Sequence, residues 1–494
     1  MEYVLGIDIG TGSTKAVAVD MKGNSFADSQ QHYPFNVPQP GYHEQDPEQI
    51  WQAFIASIKD VIAKTGSQPL AISLSSAMHS FIAVDNNGNA LAPMITWADA
   101  RSAEIAVGLR NTESGMSIYK ATGTPIHSMS PLCKLIWLRK NDPKLFRKTH
   151  KFISIKEYIW HRLFNEFVID YSITSSTGLF NITRFEWHED ALNLAGITTD
   201  VLSSAVSTNY TKTGSKLGFL DKNTFFVIGA SDGCLANLGS MATEPGIAAM
   251  TIGTSGAVRA ASNKPLPNAD AMTFSYILDK NTYICGGPIN NGGVAMQWWV
   301  KNVAGPNPTE KDYEQVFNQI AKIPAGSNGL IFLPYLTGER APIWDSESCG
   351  NFFGVRLQHT QADFSRAVLE GICFAMRDVL DAVQENSELI TQINISGGFT
   401  KSEIWVQTLA DITGKKLAIL QADDASAVGA AFIALKVVGA IKDYPKVSDD
   451  LTIYQPNPAN RDVYNRSFSI YKQLYTDLKA TMHQVYKAKK KAVR

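Results

Sequence analysis

The sequence predicts an α/β protein of two related domains. Three observations carry this reading. Short apolar runs bounded by small residues alternate with long helical patterns, 494 residues exceed one ordinary domain, and the tripeptide Ile-Gly-Thr of residues 9–11 recurs at residues 252–254. The offset, 252 − 9 = 243 residues, is close to half the chain. The turn signal Pro-Gly in Thr243-Glu244-Pro245-Gly246 marks the boundary, which places the domains at 1–243 and 244–494. Chance similarity of two turns is the plainer alternative.

The first element is the stretch GIDIGTGSTKAVAVD, residues 6–20, two apolar strands around a turn of glycine and hydroxyl residues. Gly10 and Gly12 let a backbone come close to a bulky guest, Thr11, Ser13 and Thr14 bring hydroxyls, and Lys15 adds a compact positive charge. Phosphate suits such a cradle. Neither common phosphate loop fits, because Thr11 stands where G-x-x-x-x-G-K-[ST] needs its second glycine and Lys15 where G-x-G-x-x-G needs its last. A phosphate-binding hairpin remains. Asp8 interrupts the first strand, where an unpaired carboxylate is costly, so it requires a cation, turn amides or an exit to solvent.

The second hairpin, AAMTIGTSGAVRAAS at 248–262, has Thr251 where the first has Asp8. Only one half therefore carries the acid, as expected if Asp8 serves a magnesium ion while both turns serve phosphates of a nucleotide held between the halves. Between the hairpins, LAISLSS (70–76) and FFVIGAS (225–231) are short apolar runs ending in small residues, the pattern of buried strands that open onto a site. Asp232 follows the second of these among small neighbours, so it is either a helix N-cap or a general base facing a phosphate loop. Residues 361–383 read as a long helix.

Composition narrows the class. The 45 basic residues nearly cancel 46 acidic ones, giving a net charge of −1 and no electrostatic reason to expect nucleic acid or an anionic membrane as partner. Five dispersed cysteines without a C-x-x-C pair support neither a disulfide framework nor a zinc site. No charged segment precedes an apolar one at the start and no apolar run reaches spanning length, so a soluble cytoplasmic protein is expected. The basic run YKAKKKAVR reads as a solvated helix end.

The segments DIGTGSTK, SSAMHS, ITWADARS, SPLCKLIWL, GASDG, TIGTSG, GNFFGVRLQHTQADFSRAVLE and SGGFTKSEIWVQTLADI occur in the order found in the FGGY family of carbohydrate kinases, which most of the chain resembles. Met129 to Asn141, with Pro131, Lys134 and Trp137, and Gly350 to Glu370, with Gly354 and Asp363, resemble the family's two signatures. The resemblance implies two actin-like/ribonuclease H-like domains with a nucleotide cleft between them, and ATP and magnesium as cofactors. SSAMHS, ITWADARS, TGTPIHSMSPLCK and IKEYIW look most like members that phosphorylate the sugar acid D-gluconate at its 6-hydroxyl. A kinase for another sugar such as xylulose, and an actin- or chaperone-like ATPase, are the alternatives.

The family pattern also implies roles. Asp232 matches the catalytic base and Asp8 the acid that helps position magnesium. Thr11, Gly12, Ser13, Thr14 and Lys15 match the first phosphate segment, Gly253 and Thr254 the second. Gly293 and Gln297 resemble a stretch near the nucleotide, and Gly397, Gly398 and Ser402 an adenosine segment. Met78, His79, Trp97, Asp99, Arg101, His127, Met129 and Lys156, together with Asp232, are expected on the substrate side. Trp97 and Met78 could instead be core, Arg101 could pair with Asp99 on a surface, and Lys134 and Glu339-Arg340 could be architectural. Relatives commonly form dimers or larger assemblies, so a homodimer is carried as an expectation.

Overall fold

The computed structural model describes residues 1–420, 424–446 and 451–492. The chain divides into two compact units, the first formed by Met1–Glu244, Ala261–Cys285 and Asp424–Val447, the second by Pro245–Ala260, Gly286–Asp423 and Ser448–Arg494. The first break falls inside the Pro-Gly stretch. Two segments from the second half of the sequence fold with the first unit.

The first unit is built on strands β1 (Tyr3–Ile9), β2 (Ser13–Asp20), β3 (Ser25–His32), β4 (Ala71–Ser76), β5 (Thr211–Lys212) and β6 (Phe225–Ser231), ordered β5-β6-β4-β1-β2-β3. β1 and β2 form the antiparallel hairpin, while β1, β4 and β6 run parallel to one another. β1, β4 and β6 are buried along most of their lengths, which is why they read as unbroken apolar runs. The helix Pro47–Thr65 is set by Asp46 at its N-cap, Pro47 at its first position and Gly66 in the left-handed conformation at its end. It buries Trp51, Phe54, Ile58 and Val61 in the core formed with Leu5, Ile7 and Ile72.

The opposite face of this sheet is covered by the helices Asp232–Gly239 and Ala425–Val437. Their approach requires glycine. A Cβ on Gly6 would collide with the Ala427 carbonyl, and one on Gly239 with the Ala425 carbonyl. Gly6 thereby admits the start of Ala425–Val437 against β1, and Gly239, at the end of its own helix, lets the two helices pack closely.

The second unit repeats the plan. Its strands β7 (Ile247–Ile252), β8 (Gly256–Ser262), β9 (Gln392–Ser396), β10 (Lys416–Ile419) and β11 (Thr452–Tyr454) run in the order β8-β7-β9-β10-β11. β7 and β8 are antiparallel, β7, β9 and β10 parallel, and β11 antiparallel again. Read as β2-β1-β4-β6-β5, the first unit has the same sequence of pairings. The shared Ile-Gly-Thr therefore sits at equivalent hairpins in two copies of one architecture.

The second family-like stretch forms part of the frame. Asp363 bonds the backbone and hydroxyl of Thr360 at 2.7 and 2.6 Å, starting the long helix Gln361–Gln384, and Gly354 adopts a left-handed φ of 85°. Glu370, 2% exposed, accepts from Arg366 at 2.8 Å, Ser327 at 2.7 Å and Gly326 at 3.0 Å. The C-terminal helix Arg461–Ala492 carries most of the basic run; Val493, Arg494 and the side chains after Ala488 lie outside the described residues. Among the described residues, no helix is long and apolar enough to cross a membrane.

Candidate active site

In the first unit the candidate residues gather where β1, β4 and β6 end, the edge at which open α/β sheets bind ligands. Asp8 lies one residue before the end of β1, opposite Lys15 on β2 and Ser75 on β4. Its carboxylate accepts from Ser75 Oγ at 2.6 Å. Burial, reinforced by the charges of Asp232 and Asp424, raises the Asp8 pKa to about 7 against the opposing pull of Ser75 and Lys15. The residue suits a site that a cation completes.

The turn itself is braced. Gly10 N–H donates to the Ser13 carbonyl at 3.0 Å, Tyr33 donates through its hydroxyl to the Gly10 carbonyl at 2.6 Å, and Gln45 donates to the Thr11 carbonyl at 2.6 Å. Ser13 Oγ accepts from Gln30 at 2.9 Å, and Thr14 is fully buried. Gly12 has open space where a Cβ would be. Lys15 pairs with Asp424, the residue at the start of Ala425–Val437.

Asp232 opens the helix that follows β6, but it is not the cap. Ser231 occupies the N-cap position and accepts from the Cys234 N–H at 3.4 Å, while Asp232 accepts from the Gly233 N–H at 2.7 Å. The cap role that sequence allowed for Asp232 belongs to its neighbour. Ser426 Oγ donates to the Asp232 carbonyl at 3.1 Å, tying the two helix starts together.

The substrate-side candidates fall into distinct environments. Trp97 donates from its indole nitrogen to Thr11 Oγ1 at 2.8 Å, joining its segment to the phosphate turn. His79 is 6% exposed with a left-handed φ of 64°; its Nδ1 lies 2.8 Å from the Ser176 carbonyl and its Nε2 3.4 Å from the Tyr276 hydroxyl. Met78 is partly buried and Met129 buried, and Met129 N–H donates to His127 Nδ1 at 3.2 Å.

Two cations expected there are engaged within the protein. Arg101 grips Asp99 through Nε and Nη2, both at 2.8 Å, and Nη2 also reaches Glu44 at 2.6 Å. Its guanidinium stacks 3.9 Å from the Tyr42 ring. Lys156, 1% exposed, bonds Asp170 at 2.8 Å and the Ala230 carbonyl at 2.7 Å, next to Ser231 and Asp232.

In the second unit a cavity of about 1000 Å³ is lined by Gly253, Thr254, Gly293, Gln297, Gly398 and Ser402. These are six of the seven residues assigned there; Gly397 lies behind it at φ 116°, where a Cβ would collide with the Ile252 carbonyl. Gly293 N–H donates to the Gly253 carbonyl at 2.7 Å, seating the helix Gly293–Ala304 directly on the hairpin. Tyr313, Phe317 and Asn318, from the helix Glu310–Ile320, complete the wall and were not singled out by sequence. Asp424, Ser75 and Glu44 were missed as well. The helix shows a clear apolar period in sequence, but what its polar and aromatic face lines is decided by tertiary packing.

A duplicated α/β unit with a hairpin in each copy, one bearing an acid, frames the site, and the chain's likeness to known sugar kinases makes it a phosphotransferase with an alcohol acceptor. The chain belongs to the FGGY family of carbohydrate kinases: the N-terminal domain of that family matches residues 3–239 and the C-terminal domain residues 248–437. It is 40% identical over 462 residues to the gluconokinase of Bacillus subtilis (strain 168), covering 90% of each chain. Among solved structures it is similar to the gluconate kinase of Lactobacillus acidophilus, at 33% identity, a TM-score of 0.93 and coverage of 98% of this chain and 99% of that one. The ligand-bound xylulose kinase of the same organism gives 33% identity and a TM-score of 0.93, covering 98% of this chain and 100% of that one.

Proposed function

We propose that this protein transfers the γ-phosphoryl group of ATP to the 6-hydroxyl of D-gluconate, giving 6-phospho-D-gluconate. The observation that supports this reading most is that Asp8, the Thr11–Lys15 turn and Asp232 lie at the carboxyl ends of β1 and β6, with Trp97 bonded to Thr11. The 40% identity to a gluconokinase supports the choice of acceptor.

In this reading Asp232 accepts the proton of the attacking hydroxyl from the rigid start of its helix. The hydroxyls of Thr11 and Ser13 and the ammonium of Lys15 hold phosphate oxygens, while Thr14, fully buried, backs the turn; Gly253 and Thr254 form the corresponding turn of the second unit. Lys15 exchanges Asp424 for phosphate as the nucleotide arrives. The cavity beside Gly293, Gln297, Gly398 and Ser402 receives adenosine. Asp8 would hold magnesium, whose charge neutralises the phosphates when bound. We assign the protein to the cytoplasm as a homodimer, readings checked by cell fractionation and light scattering.

Initial rates of ADP release with gluconate, xylulose and glucitol test this function. Gluconate is expected to give the highest kcat/KM. A higher value for xylulose would establish the second reading, which the equal likeness to a xylulose kinase structure keeps open. ADP release independent of any sugar would overturn both.

A further inference from the structure

Lys134 is a buried cation to which the proposed reaction gives no role. It projects from the helix Pro131–Asn141 and is 0% exposed, yet among the described residues no carboxylate lies within ion-pair distance of it. Its Nζ donates to two backbone carbonyls, those of His79 and, at 2.9 Å, Thr96. A methionine of similar length would fill the same space without the cost of desolvating an ammonium. What lysine adds is the pair of N–H···O bonds.

Both acceptors are placed to matter. His79 holds a left-handed backbone that a residue with a Cβ adopts only at a cost, so its carbonyl direction persists only where neighbours fix it. Thr96 immediately precedes Trp97, whose indole reaches Thr11 in the phosphate turn. One ammonium thereby clamps the Met78–His79 turn to the Trp97–Arg101 turn, and through Trp97 to the phosphate hairpin.

We propose that Lys134 is the positioning residue of the acceptor site, fixing the separation of these two turns without touching the substrate. This rests on the reading that the two turns line the acceptor subsite.

The test is the split between Michaelis constants in full-length K134M, with gluconate varied at saturating ATP and the reverse. The expected result is a rise of about tenfold or more in KM for gluconate with KM for ATP within about twofold of wild type. K134Q, which keeps two neutral donors on a shorter arm, should fall between them. A lower melting temperature with both KM values unchanged would overturn the proposal and leave Lys134 a purely structural residue. If K134M yields no folded protein, the same split measured on K134Q decides. H79A and W97F serve as controls: if they raise KM for gluconate while the Lys134 variants do not, only the positioning role fails. If none of them moves it, the acceptor-site reading fails too.

Discussion

Ser75 donates to Asp8 at 2.6 Å, and at the equivalent register of the second unit Thr251 and Ser396 face each other with their hydroxyls 3.3 Å apart. The duplicated sheet thus keeps a side-chain hydrogen bond between the same two strands while changing one acid into an alcohol. The two copies should respond differently to substitution. D8N is expected to lower kcat about a hundredfold or more, the scale of a lost metal-positioning group, whereas T251V should change it only a few-fold. Steady-state kinetics at saturating magnesium and ATP check this, and comparable losses in both variants would remove the special role of Asp8.

Asp232 should behave as a base. D232N keeps the shape of the side chain and leaves the Ser231 cap intact, so kcat should fall by roughly 10²–10⁴ while nucleotide affinity, measured by calorimetry, stays near wild type. Near-normal turnover would reduce Asp232 to the first residue of its helix.

Arg101 and Lys156 should separate. Arg101 Nη1 carries no hydrogen bond among the described residues, so that donor is available to a substrate carboxylate, whereas Lys156 is enclosed by Asp170 and the Ala230 carbonyl. R101Q is expected to narrow the ratio of kcat/KM for gluconate to that for glucitol by about ten- to a hundredfold. K156Q should leave the ratio in place but destabilise the fold by about 3–5 kcal/mol, because it strands the buried Asp170. An unchanged ratio in R101Q would mean that its charge is fully spent on Asp99 and Glu44.

Lys134 gives a pH signature. Burial lowers its pKa to about 7, with Arg101 pushing the same way and Asp99 and Cys133 opposing. Between that value and the ordinary lysine value near 10.4 the unfolded chain binds the extra proton, so this group makes stability rise with pH across the interval. The stability of wild type relative to K134M should rise as pH is raised from 7 to 10, by up to about 1.4 kcal/mol per pH unit. Chemical denaturation at several pH values reads it, and a parallel pair of profiles would count against a buried, displaced Lys134.

Much of the first sheet was legible because its strands are buried on both faces and end at glycine or hydroxyl residues: FFVIGAS forms β6 in full, and LAISLSS differs from β4 by one residue. The hairpin itself was legible because a turn of glycines and hydroxyls between two apolar strands is a local pattern. What sequence could not show is long-range pairing. Lys15 meets Asp424 across 409 residues, and Trp97 meets Thr11 across 86. Asp424 reads as one more acid before a small-residue helix until Gly6 is seen to admit that helix. Arg101 beside Asp99 was readable as a pair, but Glu44 and the Tyr42 ring come from another loop.

The helix Ala425–Val437 has a consequence for how the molecule is made. It covers β1, the first strand to leave the ribosome, yet it is translated more than 400 residues later. During synthesis the part of the apolar face that this helix covers, around Val4 and Val17, must wait while most of the second unit emerges, with only the helix Asp232–Gly239 packed beside it. A fragment ending at Glu244 keeps the helix Asp232–Gly239 but lacks its neighbour, so the part of that face beneath Ala425–Val437 stays open and should bind chaperones or aggregate, whereas supplying residues 424–446 as a separate peptide should improve its solubility.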